Sequence, residues 1–195
     1  MESNYGNKYK LLNLSAFCLV TLLITAMVLT GCGAEEPTMS PGETILSVSS
    51  TTFNEGEIIP AKYTCDGEDI SPQISWEQPP AGTKSLAVIM DDLDAPMGVF
   101  THWVIYNIPA EAGELAEAVP AISRLEDGTL QGTNSFKKTG YGGPCPPSGT
   151  HRYRFTVYAL DITLDLEAEA DKKHVAEVME GHILARGMIT GNYGE

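Results

Sequence analysis

Positive charge is scarce in this chain. Lysine and arginine together number 12 against 26 aspartates and glutamates, a formal net charge of −14 over 195 residues. The few basic side chains form no stripe. Nucleic-acid binders need one to meet backbone phosphates, so that class is excluded. Long-range attraction of anionic partners is disfavoured on the same ground, and any bound anion must be held by a local pocket. Cysteine is scarce too, with four in the chain. Several catalytic signatures are missing: there is no His-Glu-x-x-His pair, no Gly-x-Ser-x-Gly turn and no Gly-x-x-x-x-Gly-Lys phosphate loop. No internal repeat is present. Glycine and proline, at 19 and 12, are plentiful by contrast, and they cut the chain into short segments.

The one long apolar run is at the N-terminus. Lys8 and Lys10 precede residues 11–29, which are apolar apart from Asn13, Ser15, Thr21 and Thr25. A charged start, an apolar run and a small-residue cut site read as a secretory signal. The run is also near bilayer length, so a transmembrane anchor is the competing reading. Cys32 decides between them. Leu29-Thr30-Gly31-Cys32 resembles the bacterial lipobox, which implies cleavage before Cys32 and acylation of its thiol. Several acyl chains hold well, because each buried methylene adds about 0.8 kcal/mol. Residues 1–31 are thus expected to be a lipoprotein signal. Residues 32–43 are the acylated cysteine and a tether, "GAEEPTMSPGE", short of large apolar side chains. Residues 44–195 are the folded domain, long enough for a real core. The expected location is the bacterial cell envelope, lipid-anchored and extracytoplasmic. Removing residues 1–31 takes away Glu2, Lys8 and Lys10, which makes the balance one unit more negative.

Cys65 and Cys145 are the two cysteines of the domain, in "YTCDGE" and "GGPCPP". Export to an oxidising compartment makes a disulfide one reading. Two free thiols lining a site, or two inert small hydrophobes, are the others. The spacing alone does not bring their alpha carbons within reach.

The domain reads as strands and turns. Residues 43–53, "ETILSVSSTTF", alternate loosely and are rich in β-branched residues. "SPQISW" ends at Trp76. "KSLAVIMDD", "FTHWVIYNI" and "HRYRFTVYAL" are the stronger strand candidates. Gly, Pro and Asp clusters separate them, which favours a largely antiparallel β fold. One helix is expected near the end, capped by Asp171, with Val175, Val178, Met179, His182 and Ile183 at helical spacing. Gly181 interrupts it. A shorter helical segment over residues 110–118 is weakened by Gly113.

Side chains alternate along a strand, so each strand has two faces. His151 heads an apolar face with Tyr153, Phe155, Val157 and Ala159, while Arg152 and Arg154 point the other way. His102 shares a face with Val104, Tyr106 and Ile108. Asp92 ends the face of Leu86, Val88 and Met90. Three strands thus each place an ionisable residue at the end of an apolar face. If those ends meet, Asp92, His102 and His151 form a polar cluster at the rim of the core. A lone histidine there is more often a hydrogen-bonded rim residue; two with an acid favour a site. The same three could form a two-histidine, one-carboxylate metal set, but no close ligand pair supports it, and neither metal nor cofactor is expected. Cys145 with a histidine could be a thiol nucleophile, yet it lies between prolines with no helix start to lower its pKa.

At these residues the chain resembles the phosphatidylethanolamine-binding protein family, in its bacterial Raf-kinase-inhibitor-like branch. The likeness rests on "DLDAP" (92–96), "HWVIYNIP" (102–109), "GYGGPCPPSGTHRYRFTVYAL" (140–160), "YTCDGEDISPQISW" (63–76) and "GTKSLAVIMDD", in order over roughly residues 50–195. The resemblance implies a mainly β fold: an antiparallel β-sandwich with peripheral helices and a C-terminal helical region. It also implies a small pocket for phosphate-like groups, including phospholipid head groups. Asp92, Asp94 and Pro96 match the family's acidic loop, and His102 its histidine before the aromatic. Gly143, Pro144 and Pro147 lie in the glycine-proline segment, His151 and Tyr153 in the His-Arg-Tyr segment. The C-terminal tyrosine corresponds to Tyr193. Leu93 departs from the pattern by replacing a proline, which frees φ and adds an N–H.

The expected function is a non-enzymatic binding module for a small anionic or phospho ligand, held at the membrane by its N-terminal lipid. Histidine N–H groups, the Tyr153 hydroxyl and loop amides would donate to the oxyanion, with Asp92 orienting a histidine. The alternative is an inhibitor or interaction protein that grips a protease or kinase-like partner. A hydrolase using a histidine base is a third reading without an assigned nucleophile.

Overall fold

The computed structural model describes residues 43–195. The expected signal at 1–31, Cys32 and the tether up to residue 42 lie outside the described residues. The strands are β1 (Thr44–Ile45), β2 (Val48–Ser49), β3 (Ile74–Trp76), β4 (Ser85–Asp92), β5 (Phe100–Pro109), β6 (Glu114–Leu115), β7 (Leu130–Gln131), β8 (Thr150–Leu160) and β9 (Ile183–Gly194). Among the described residues, one α-helix, α1 (Lys172–Met179), and a 3-10 turn at Ala61–Tyr63 join them.

Six strands form one sheet in the order β1-β9-β8-β4-β5-β7, and three form a second, β2-β3-β6. All pairings are antiparallel except β1 with β9. The three strong strand candidates, β4, β5 and β8, lie side by side in the larger sheet. Every residue of β4 is buried, because both faces of that sheet are covered. On one face Leu86, Val88, Met90, Trp103, Ile105, Phe155 and Val157 pack with Ile74, Trp76 and Leu115 of the smaller sheet. That is the sandwich core. On the other face Ala87, Ile89, Val104 and Tyr106 pack with Val175 and Met179 of α1 and with Leu164.

Three expectations change. Residues 43–53 are not one strand: β1 joins the larger sheet and β2 the smaller, and the chain crosses between them at Leu46 and Ser47. Leu46 N–H donates to Arg186 O and Ser47 O accepts from Glu77 N–H, so each sheet takes one side of the crossing. Residues 110–118 form a turn and β6 instead of a helical segment, and Trp76 holds the turn by donating its indole N–H to Ala112 O at 2.8 Å. The C-terminal helical region is one short helix followed by the longest strand of the fold. Asp171 caps α1 by accepting from His174 N–H at 3.0 Å, but the helix ends at Met179 and Ile183 begins β9.

β9 escapes detection because its glycines look like breakers. Gly187 instead permits contact: a Cβ there would lie 1.7 Å from Leu46 O, so only hydrogen fits where the crossing segment lies. Glu43, the first described residue, sets its carboxylate 3.2 Å from Arg186 Nε. No helix among the described residues is long and apolar enough to cross a membrane.

Candidate functional site

β4 and β8 run antiparallel with Asp92 opposite Tyr153. Two residues nearer the start of β8, His151 donates its Nδ1–H to Asp92 Oδ2 at 2.8 Å. Both side chains are almost wholly buried. The second oxygen, Asp92 Oδ1, accepts from Asp94 N–H at 2.9 Å and so shapes the loop that follows. Leu93 keeps that loop on the sheet. The N–H it has in place of a proline donates to Arg152 O at 2.9 Å, which extends the β4–β8 ladder by one rung.

Asp94 is the acid that does not join the cluster. Its carboxylate clamps Arg152, accepting from Nε at 2.9 Å and Nη2 at 2.7 Å and from the backbone N–H at 2.9 Å. Arg152 holds the Asp94 carboxyl below its ordinary pKa. Asp94 braces the loop from the solvent side and does not line the cavity described below.

His102 reaches the cluster by a route that simple alternation does not predict. Asp91 pairs with Thr101 and Met90 with Trp103, which leaves His102 as an extra residue in β5. This β-bulge changes which face the side chains take. Trp103 stays in the sandwich core, Thr101 turns to Asp91 on the helix side, and His102 packs edge-on against Tyr153 with centroids 5.2 Å apart. The face shared with Val104 and Tyr106 is therefore not the face of His102. A second irregularity, at Asn107 (φ 56), moves Ile108 off that face as well.

The wall opposite is the segment from Gly140 to Pro147. Gly142 N–H donates to His102 O at 3.0 Å, and the His102 ring returns Nδ1–H to Gly142 O at 2.7 Å. The far side of the wall is laced to residues 63–69. Tyr141 Oη donates to Tyr63 O at 2.7 Å, Gly143 N–H to Asp69 Oδ1 at 2.6 Å, and Cys65 N–H to Pro144 O at 3.1 Å. A Cβ on Gly143 would meet Tyr63 O at 2.5 Å, so this closeness requires glycine. Cys65 and Cys145 are joined in a disulfide with alpha carbons 5.5 Å apart. That removes the thiol nucleophile, because Cys145 has no thiolate to offer. Gly143 and Pro144 are buried in the wall and do not line the cavity described below.

A cavity of about 340 Å³ opens here. Asp92 and His102, both nearly inaccessible, form its floor. Pro96, Met97, Val99, Phe100, Phe136 and Pro147 form a mostly apolar rim. Met97 is 100% exposed and Phe136 41%, while Phe136 stacks edge-on against His102 and Phe100 at 5.2 and 4.7 Å. Sequence reasoning missed the rim aromatics; the signal was Phe100, two residues before His102 in the same strand. A larger cavity of about 830 Å³, on the helix side, contains none of the expected site residues. Tyr193 faces another, of about 440 Å³, which shares Cys145 and Pro147 with the site; its hydroxyl donates to Asp66 Oδ2 at 2.6 Å.

Asp92, His102, His151 and Tyr153 thus meet at one end of the sheet. Burial holds the His102 pKa below its ordinary value, against the pull of the Gly142 carbonyl and the Asp92 charge. Burial, then the Asp92 charge, pushes the Tyr153 hydroxyl well up, with the Cys145 backbone acting in the opposite direction. That hydroxyl is buried and closes no hydrogen bond of good geometry within the protein. No group of three or more His, Cys, Asp or Glu side chains among the described residues is arranged to hold a metal ion. Of the four residues that meet here, Asp92 and His102 line the cavity; His151 and Tyr153 do not, and meet it only through the Asp92 carboxylate and the His102 ring.

The chain has relatives across this whole region. A family model described as phosphatidylethanolamine-binding protein matches residues 49–194. A UPF0098 protein of Methanothermobacter thermautotrophicus is 53% identical over 148 residues, covering 76% of this chain and 98% of its own. One of Aquifex aeolicus is 52% identical over 157 residues, covering 79% and 91%. Among solved structures, a phosphatidylethanolamine-binding protein homologue of Chlamydia trachomatis superposes with a TM-score of 0.71 at 36% identity, covering 77% of this chain and 98% of its own. E. coli YbcL, described as a member of the mammalian family, also reaches 0.71, at 32% identity and with 78% and 99% covered.

Proposed function

The chain belongs to the phosphatidylethanolamine-binding protein family, a family of binding proteins, and from that premise we propose a lipid-anchored, extracytoplasmic module that binds a phosphate-like anion or phospho-head-group. The observation that carries this reading is how the two imidazoles are held. Each uses Nδ1 on the protein, His102 on the Gly142 carbonyl and His151 on the Asp92 carboxylate. Among the described residues, neither ring closes a protein hydrogen bond through Nε2, which leaves that atom for a ligand, at the cavity floor for His102 and behind Asp92, off the lining, for His151. An oxyanion needs a proton there, so binding favours the charged imidazolium. The Asp92 carboxylate behind His151 counterbalances that charge. The Tyr153 hydroxyl supplies a further donor. The apolar rim suits a ligand whose anionic end is joined to an apolar remainder.

The acidic surface makes a local arrangement necessary, because the protein as a whole repels anions. Titration of inorganic phosphate and of glycerophosphoethanolamine by calorimetry tests the site. His151→Ala removes one charge-assisted hydrogen bond and is expected to weaken binding by about tenfold or more. Equal affinity of the variant and the wild type, or no binding by either, overturns the reading.

The anchor is tested separately. Cells fed an alkyne fatty acid are expected to label the wild-type protein and not Cys32→Ser, which would accumulate as an unprocessed precursor. Label retained by the variant refutes acylation at Cys32.

A further inference from the structure

Behind the site, on the helix side of the sheet, lies a second polar cluster that the binding reading does not use. Asp91 is 7% exposed. Its Oδ1 accepts from Thr101 Oγ1 at 2.9 Å, and its Oδ2 accepts from Lys172 Nζ at 2.7 Å. Lys172 is the first residue of α1. Thr101 is also fixed through its backbone: its N–H donates to Ser135 Oγ at 3.0 Å and its O accepts from Ser135 N–H at 2.8 Å. Thr101 is the residue immediately before the bulge, and Asp91 is its partner across it.

The location of this cluster matters. A bulge leaves its extra residue unpaired and disrupts the ladder locally, so the contacts of the residues on either side fix which residue is the extra one. Trp103 is held on the core side, donating its indole N–H to Gln131 Oε1 at 2.8 Å. Thr101 must be held on the opposite side, or the strand can relax to plain alternation and carry His102 to the helix face. Ser135 holds the Thr101 backbone, the Thr101–Asp91 hydrogen bond is the contact that holds its side chain on that face, and Lys172 neutralises the carboxylate that makes that bond.

We propose that Thr101, Asp91 and Lys172 are positioning residues that hold the bulge and thereby keep His102 in the cavity, which links helix α1 to the anion site through the sheet. Only the consequence for affinity rests on the anion-binding reading; the placement of His102 does not.

The test uses the full chain labelled with ¹⁵N-histidine, with His102 assigned through His102→Gln. Thr101→Val keeps the shape and charge and removes the hydroxyl; Thr101→Ser restores it. Lys172→Met removes the ammonium from a side chain about one-third exposed and serves if Thr101→Val does not fold. Nuclear Overhauser effects between the His102 ring and the rings of Tyr153 and Phe136 report its placement. A field effect alone does not move them, although Asp91 and Asp92 both act on the ring by charge. Wild type and Thr101→Ser are expected to show the same effects. Thr101→Val and Lys172→Met are expected to show neither and to bind sulfate about fivefold more weakly, the scale of one lost hydrogen bond. An unmoved His102 ring in a folded Thr101→Val or Lys172→Met overturns the proposal. A displaced ring in these variants, where the wild type itself binds no sulfate, upholds the positioning role and rejects the anion reading.

Discussion

His102 donates its Nδ1–H to a carbonyl, whereas His151 donates to a carboxylate. The first of these has a consequence for pH. Burial depresses the His102 pKa, so between the unfolded value of about 6.5 and the folded one the native state binds fewer protons than the unfolded chain. Stability is full above that window and declines as pH falls through it. In urea melts between about pH 7.5 and 5, His102→Gln is expected to show a smaller decline than wild type. An equal decline in both would place the effect elsewhere. Binding has the opposite sign. An oxyanion favours the charged ring, so sulfate, whose own charge is constant in this range, should bind more tightly as pH falls. His102→Gln should flatten that dependence in calorimetry.

Among the elements, what is local was legible and what is paired was not. Asp171 was readable as a cap because its partner, His174 N–H, lies three residues away. Asp171→Ala is expected to cost about 1 kcal/mol, read as a lower denaturant midpoint with an unchanged slope. A loss of several times that size would mean that α1 holds more than the face it covers. The faces of β4 and β8 were also readable, since both keep strict alternation, and the pairing of the two strands then brings Asp92 and His151 together. The bulge at His102 was not. It arises from pairing with Asp91 and from the far-side hydrogen bond of Thr101, and no composition rule signals it. β9 was hidden for a similar reason: its glycines answer to Leu46 and Ile59, which are distant in sequence.

At the scale of the molecule, one covalent link joins the two loops that build the site's wall. The Cys65–Cys145 disulfide spans 80 residues. In the chain-entropy view, a loop of that length is worth about 4 kcal/mol through the unfolded state. Cys65→Ala with Cys145→Ala is expected to lower stability by about that amount and to weaken anion binding, because the wall carrying the Gly142 carbonyl loses a tether. Thermal melts with phosphate titrations check both. Stability and affinity equal to wild type would show that the hydrogen bonds from Tyr141, Gly143 and Cys65 suffice. Such a link suits export to an oxidising compartment, which is where the proposed lipid anchor would place the domain.

The sequence by itself determined the strand-rich class, the three central strands, the helix cap and the strand faces on which Asp92 and His151 stand. Each of these follows from period, turn residues or contacts a few positions apart. Tertiary structure alone decided the placement of His102, the outward role of Asp94, the strand character of the C-terminal segment and the joining of Cys65 to Cys145. Those depend on register and on the close approach of distant segments. A bulge, an ion pair across a loop or a bridge over 80 residues is settled by which backbone lies opposite, and local preference does not encode that.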